Sequence, residues 1–114
     1  MNDRSALEWL SDARDHALEA RKFTSGLSQE SFDDDGRSRF AVNFCLIVVG
    51  EALNRIPRDV QALAPEIPWA AINGLRNRLV HGYWRIDSQV ILRIAQADVS
   101  ILVSSIDRLV EKIR

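Results

Sequence analysis

The sequence predicts an all-α protein: an antiparallel bundle of four main helices with one or two short extra helical turns. Three observations predict it. Apolar residues recur at helical spacing through long segments, start and stop signals bracket those segments, and no run shows the alternation of a half-buried strand. The chain has 114 residues, 46% of them hydrophobic and 27% charged. That is an ordinary globular balance, and residues 1–114 read as one domain.

Ser5-x-x-Glu8 has the form of a capping box and starts a first helix near Ala6. Leu7, Leu10, Ala13, Ala17 and Leu18 then recur on one face, and Gly26 ends the pattern. The stretch "LSQESFDDDGRSRF" is a connector with one helical turn before an acidic cap. Asp33, Asp34 and Asp35 suit the N-terminus of the next helix, where the macrodipole favours negative charge. They read as a solvated cap, because the other oxygen ligands of a calcium loop are missing.

A long second helix is expected from Gly36 to Ile56. Its middle, "VNFCLIVVGEALNRI", is apolar nearly all round, which places it at the centre of the bundle. Gly50 interrupts it at a cost of roughly 1 kcal/mol relative to alanine, tolerable where another backbone passes close by. Pro57 stops this helix, "RDVQALAPEIPW" is a connector with a short turn, and Pro68 opens a helix over Trp69–His81. Asp87 or Ser88 caps the last helix. Its apolar face runs through Val90, Ile91, Ile94, Val99, Ile101, Leu102, Ile106, Leu109, Val110 and Ile113.

Several function classes drop out. The net charge is −1, unlike that of a general nucleic-acid coat protein. The charge is uneven, however: residues 76–93 hold four arginines against one aspartate, so an anionic partner belongs there. The lone Cys45 excludes a disulfide within the chain and fits a reducing compartment, so a cytoplasmic location is expected. The N-terminal stretch shows no apolar h-region, and the longest apolar run, "FCLIVVG", is far short of the roughly 18 residues of a membrane span. No H-E-x-x-H, paired-cysteine, P-loop or G-x-G-x-x-G pattern occurs, so neither a metal nor a cofactor is expected.

The stretch "LRNRLVHGYWRID" concentrates what chemistry remains. Successive helical residues turn by about 100°. Ile72, Leu75 and Leu79 then form a core stripe, while Asn73, Asn77 and His81 climb one side as an i, i+4 ladder. Gly74 and Arg78 flank the ladder. Arg76 lies at the margin of the stripe, where it must snorkel, pair with a buried acid or face a cleft; an ion pair with Glu51 is the structural option. His81 precedes Gly82, a C-cap candidate, and a cationic histidine is favoured at a helix end. His16 lacks such company and reads as solvated. Arginine clamps phosphoryl oxygens and histidine moves protons near neutrality. This set suits metal-free RNA cleavage by the substrate's own 2′-hydroxyl, which wants one base and one acid. One chain offers one histidine here, and a two-fold dimer offers two.

Arg76, four residues, His81, one residue and Tyr83 form R-x4-H-x-Y, and in this the chain resembles HEPN domains, specifically the HepT-like toxins. The resemblance covers most of the chain. "VVGEALNRI" is similar to the family's I-I-G-E-A helix, and "PEIPWAAINGLRNRLVHGYWRID" to its I-P-W…R-N-x-x-x-H-x-Y core; "DDDGRSR" departs from a more regularly helical segment. The resemblance implies a dimer with a composite ribonuclease cleft at its interface. It also implies the toxin half of a type VII module, whose MntA-type minimal nucleotidyltransferase antitoxin transfers AMP to the motif tyrosine. Carried over, Arg76 and His81 are catalytic, Asn77 is the polar helper and Tyr83 is the modification site. Arg78 and Arg85 by charge placement, and Asn73 by its place on the ladder, are candidate RNA contacts. Two other readings remain. One is a non-catalytic module presenting substrate or nucleotide to the nucleotidyltransferase; the other is a plain bundle in which Arg76 pairs and His81 caps.

Overall fold

The computed structural model describes residues 4–114, so the first three residues of the N-terminal stretch lie outside it. Four long helices carry the bundle: α1 (Ala6–Thr24), α3 (Gly36–Asn54), α5 (Trp69–His81) and α6 (Ser88–Ile113). Two short helices, α2 (Gln29–Asp34) and α4 (Arg58–Gln61), lie in the connectors. Among the described residues there is no strand.

The helices begin where their caps place them. Ser5 Oγ accepts from the Glu8 amide at 3.2 Å while Glu8 Oε1 accepts from the Ser5 amide at 3.0 Å, completing the capping box. Asp35 caps α3 by accepting from the Ser38 amide at 3.1 Å, and Asp87 caps α6 by accepting from Gln89 at 2.8 Å. The acidic triplet is thereby divided. Asp35 is the cap, whereas Asp33 accepts from Ser88 Oγ at 2.7 Å and ties the start of α6 to the end of α2. Chain reversal after α1 uses Gly26 at φ +76°, a left-handed conformation open to glycine.

α1 presents Ala13, Ala17 and Ala20 to the core with Leu10, and these small side chains let α3 and α6 lie close. Leu7 departs from the expected face and is 40% exposed. Phe32 of α2 fills the centre, fully buried. α6 passes through a π turn at Ile94–Asp98, a widened turn that the sequence does not announce. Within it, Gln96 Nε2 donates to the carbonyls of Thr24 and Leu27 at 2.9 and 2.8 Å, closing the end of α1. By length and composition α6 could cross a membrane, yet its Val99, Ile106 and Leu109 are buried inside the bundle.

α3 corrects the expectation of a helix buried all round. Val42, Cys45, Leu46, Val49 and Leu53 are buried, but Phe40 and Phe44 on the opposite side are 73% and 61% exposed. The helix contacts α1 and α5 and leaves its outer face bare. Ile101 of α6, also expected in the core, is 68% exposed.

Gly50 is where another helix passes. A Cβ built there would lie 2.4 Å from Arg76 Cβ and 2.9 Å from its Cγ, with the Ile72 carbonyl at 3.5 Å. Gly50→Ala gains about 1 kcal/mol of helix propensity but must push α5 away, an overpacking cost of roughly 1–3 kcal/mol. The expected result is a melting temperature lower by several degrees, measured by thermal denaturation of the two proteins side by side.

Candidate functional site

α5 carries the candidate residues, and its position follows from its two ends. Pro68 stands one residue before the helix, and its carbonyl accepts from the Ile72 amide at 3.0 Å. Trp69 Nε1 donates to the Ala64 carbonyl at 3.0 Å and pins the first turn. At the other end Gly82 is the C-cap, its amide donating to the Arg78 carbonyl at 2.7 Å. A 3-10 turn, Tyr83–Arg85, follows directly.

Arg76 lies over Gly50, which lets its guanidinium reach the next residue of α3. Its Nη2 pairs with Glu51 Oε2, and its Nη1 donates to Asn77 Oδ1 at 2.7 Å. Glu51 also accepts from Arg55 Nη2 at 3.2 Å. Two arginines thus share one carboxylate, leaving net positive charge beside Asn77. The Arg76 guanidinium, with Arg55 behind it, holds the Glu51 carboxyl below its usual range, against an opposing push from desolvation. Among the described residues, two buried side-chain atoms stay without a hydrogen-bond partner, Arg76 Nε and Asn73 Oδ1. One is a donor and the other an acceptor, three residues apart on the same helix, so they are complementary to each other or to one bridging group.

The structure gathers some of the expected residues and separates others. Arg76 and Asn77 touch, Asn73 lies one turn before them, and His81 stands exposed one turn after. Tyr83 is 65% exposed, with its ring edge-on to Trp84 at 5.5 Å between centroids. Arg85 stands over the Trp84 ring at 5.9 Å. Arg78 is apart from the ladder. It lines an open apolar groove of about 460 Å³ between α5 and α6, with Ala71 and Leu75 beside it and Ile101 and Leu102 across. His16 is also not free in solvent: its Nδ1 lies 2.8 Å from the Asp12 carbonyl, and its ring meets Phe44 edge-on at 6.2 Å.

Sequence reasoning assigned no functional part to two residues. Glu51 entered only as a structural partner, although its place beside the helix-interrupting Gly50 signalled a contact. Trp84, next to Tyr83 and 66% exposed, offers an aromatic face on which a nucleobase can stack. Together the groups can hold an anion against an oriented guanidinium and exchange a proton at an exposed imidazole.

An all-α bundle thus sets Arg76, Asn77 and exposed His81 along one helix end, a set of groups suited to holding a phosphate. The family described as "Ribonuclease HepT-like" matches residues 13–113, and the chain belongs to that family. It is 32% identical over 106 residues to the "Probable ribonuclease HepT" of Thermococcus cleftensis, covering 93% of this chain and 96% of that one. It is 32% identical over 99 residues to "Putative RNase MJ1380" of Methanocaldococcus jannaschii, with 87% and 91% covered. To "Putative RNase MJ1216" of the same organism it is 26% identical over 113 residues, with 99% and 93% covered. No solved structure matches the chain.

The Glu51 contact has a pH signature. Its carboxyl is depressed in the folded state, so its stabilising contribution is full above the unfolded value of about 4.3 and is lost as pH falls through the lower folded value. Glu51→Gln should therefore destabilise the protein at pH 7, and the gap to the wild type should shrink steadily below about pH 4.3. Urea denaturation of both proteins across pH 7 to 3 measures it; a gap independent of pH would mean that the charge is not what Glu51 contributes.

Proposed function

We propose that this chain is a metal-independent endoribonuclease toxin that works as a homodimer with a composite cleft. The observation that carries the reading is the Arg76 guanidinium, oriented by Glu51 and Asn77 and one turn from exposed His81, in a chain of the HepT-like ribonuclease family. Arg76 holds the scissile phosphate. One His81 takes the proton of the 2′-hydroxyl, whose oxygen attacks the adjacent phosphorus. The P–O5′ bond breaks, and the second copy's His81 protonates the leaving oxygen, giving a 2′,3′-cyclic phosphate and a 5′-hydroxyl. Asn77 steadies Arg76. Asn73 and Arg85 contact RNA flanking the phosphate, whereas Arg78 reaches only the part of the backbone that passes the α6 side. The protein acts in the reducing cytoplasm, where buried Cys45 stays a thiol.

The partner in this reading is an MntA-type nucleotidyltransferase that moves AMP from ATP to the Tyr83 hydroxyl, releasing pyrophosphate. The exposure of that ring suits such a reaction. The adduct places bulk and negative charge in the basic cleft and repels RNA phosphates.

Two outcomes are expected. Expressed without its partner, the wild type slows growth and degrades RNA, whereas His81→Ala and Arg76→Ala lose on the order of 10²–10⁴ of the cleavage rate. Equal cleavage by His81→Ala would remove the acid–base assignment. Incubated with the partner and ATP, the chain gains the mass of one AMP at Tyr83, and Tyr83→Phe gains none; intact-mass spectrometry decides.

A further inference from the structure

We propose that Arg55, seated on the ring of Trp9, is a positioning residue for RNA cleavage: by occupying one oxygen of Glu51 it keeps that carboxylate from closing both oxygens on Arg76. This rests on the reading of Arg76 as the group that holds the scissile phosphate, and it brings α1 into the site.

The carboxylate is divided between two cations. Glu51 Oε1 accepts from Arg55 Nη2 at 3.2 Å, while Oε2 pairs with Arg76 Nη2. An arginine alone with a carboxylate commonly grips both oxygens through two parallel N–H groups. Here Nη1 of Arg76 is given to Asn77, so the two-point grip still open to it uses Nε and Nη2. Arg76 Nε is instead buried without a hydrogen-bond partner. That orphan donor marks the competition, because the oxygen it would take, Oε1, is engaged by Arg55. Charge follows the geometry. Two guanidinium groups and one carboxylate leave one positive charge. Without Arg55 the sum is zero, and a phosphate meets a closed, neutral ion pair.

An exposed arginine does not hold such a place unaided, since ordering a long side chain costs entropy. The Arg55 side chain is 57% exposed, and Glu51 stands four residues before it, the favourable order for a helical ion pair. Arg55 is also the C-cap residue of α3, where a cation meets the negative end of the helix dipole. Its Cζ lies 5.5 Å from the centre of the Trp9 ring, within cation–π range. That ring is itself fixed. Trp9 is half-buried against the core, and Arg4, tied to Asp12, stands over it at 4.3 Å. A line of contacts thus runs from Arg4 through Trp9, Arg55 and Glu51 to Arg76, linking the first helix to the phosphate-holding group. Lysine in place of Arg55 keeps a charge for Oε1 but lacks the flat face that stacks on the ring.

A short 2′-O-methyl RNA, which has no free 2′-hydroxyl and is not cleaved, serves as the probe. Its binding to the whole chain is read by fluorescence anisotropy at about 0.15 M salt, where distant charges are screened. Arg55→Gln is expected to weaken binding about tenfold, with Arg55→Lys intermediate. In a Glu51→Gln background the same Arg55→Gln change should cost less than about twofold, because the carboxylate it restrains is gone. Trp9→Leu, checked for folding by circular dichroism, should weaken binding by a smaller factor than Arg55→Gln. A readout that needs neither RNA nor the Glu51 variant is the Arg76 Nε–H signal in a proton–nitrogen NMR spectrum, assigned by its loss in Arg76→Lys. In Arg55→Gln this proton should move downfield as it engages Glu51. An unmoved signal overturns the proposal, as does wild-type binding by Arg55→Gln or by folded Trp9→Leu. A loss that persists undiminished in the Glu51→Gln background also overturns it and makes Arg55 an RNA contact. The expected pattern of binding in a chain that never cleaves unmodified RNA upholds the positioning role and overturns the catalytic reading of the site.

Discussion

The contact between the bare backbone of Gly50 and the side-chain stem of Arg76 fixes where α5 lies, and the candidate site depends on it. With no Cβ in the way, Arg76 Cβ and Cγ sit directly against α3, and the guanidinium emerges beside the next residue, Glu51. The height and rotation of α5 are then set together. Ile72 and Leu75 turn inward, the ladder turns outward, and the far side of the helix is left facing the open groove to α6. A partly buried ion pair of this kind adds only modest net stability, because desolvation offsets part of the attraction. What it adds is direction, since a guanidinium held at two of its nitrogens keeps one orientation.

That direction decides what the arginine can still do. Nη1 and Nη2 are engaged by Asn77 and Glu51, and Nε is buried without a partner. The remaining η hydrogens are those a phosphate can reach. Glu51 does not cancel the positive field, because Arg55 shares it. Arg85 in the following turn extends the charge past His81 toward Trp84. The overall charge of −1 therefore coexists with a basic strip at one end of α5, and local field rather than net charge governs encounter with an anion.

Local signals were legible in the sequence. The capping box at Ser5 and Glu8, the caps at Asp35 and Asp87, and the bounds of α5 at Trp69 and His81 all lie within a few residues of what they determine. Gly50 was legible too, because a glycine in mid-helix asks for a neighbour. Long-range and subtractive features were not. The π turn exists to bring Gln96 to Thr24 and Leu27, residues distant along the chain, and nothing in "IAQAD" marks it. Phe40, Phe44 and Ile101 are apolar, and periodicity alone cannot tell a residue covered by its own chain from one left uncovered. In the site, the R-x4-H-x-Y spacing announced the residue types. The choice Arg76 makes among snorkelling, pairing and facing a cleft needed the position of Glu51, and the isolation of Arg78 needed that of α6.

The same packing makes α5 the least supported of the long helices. α1 is held by both α3 and α6, whereas α5 rests on α3 and faces an open groove on its other side. Leu79 is its one buried residue. An element with so few buried apolar contacts opens at a lower free energy than the rest of the fold. Whatever binds the folded α3–α5 surface and not the opened one stabilises it by mass action, in proportion to the logarithm of concentration over dissociation constant. A ligand on that surface therefore holds in place the helix that carries His81, so that binding and order at the site rise together.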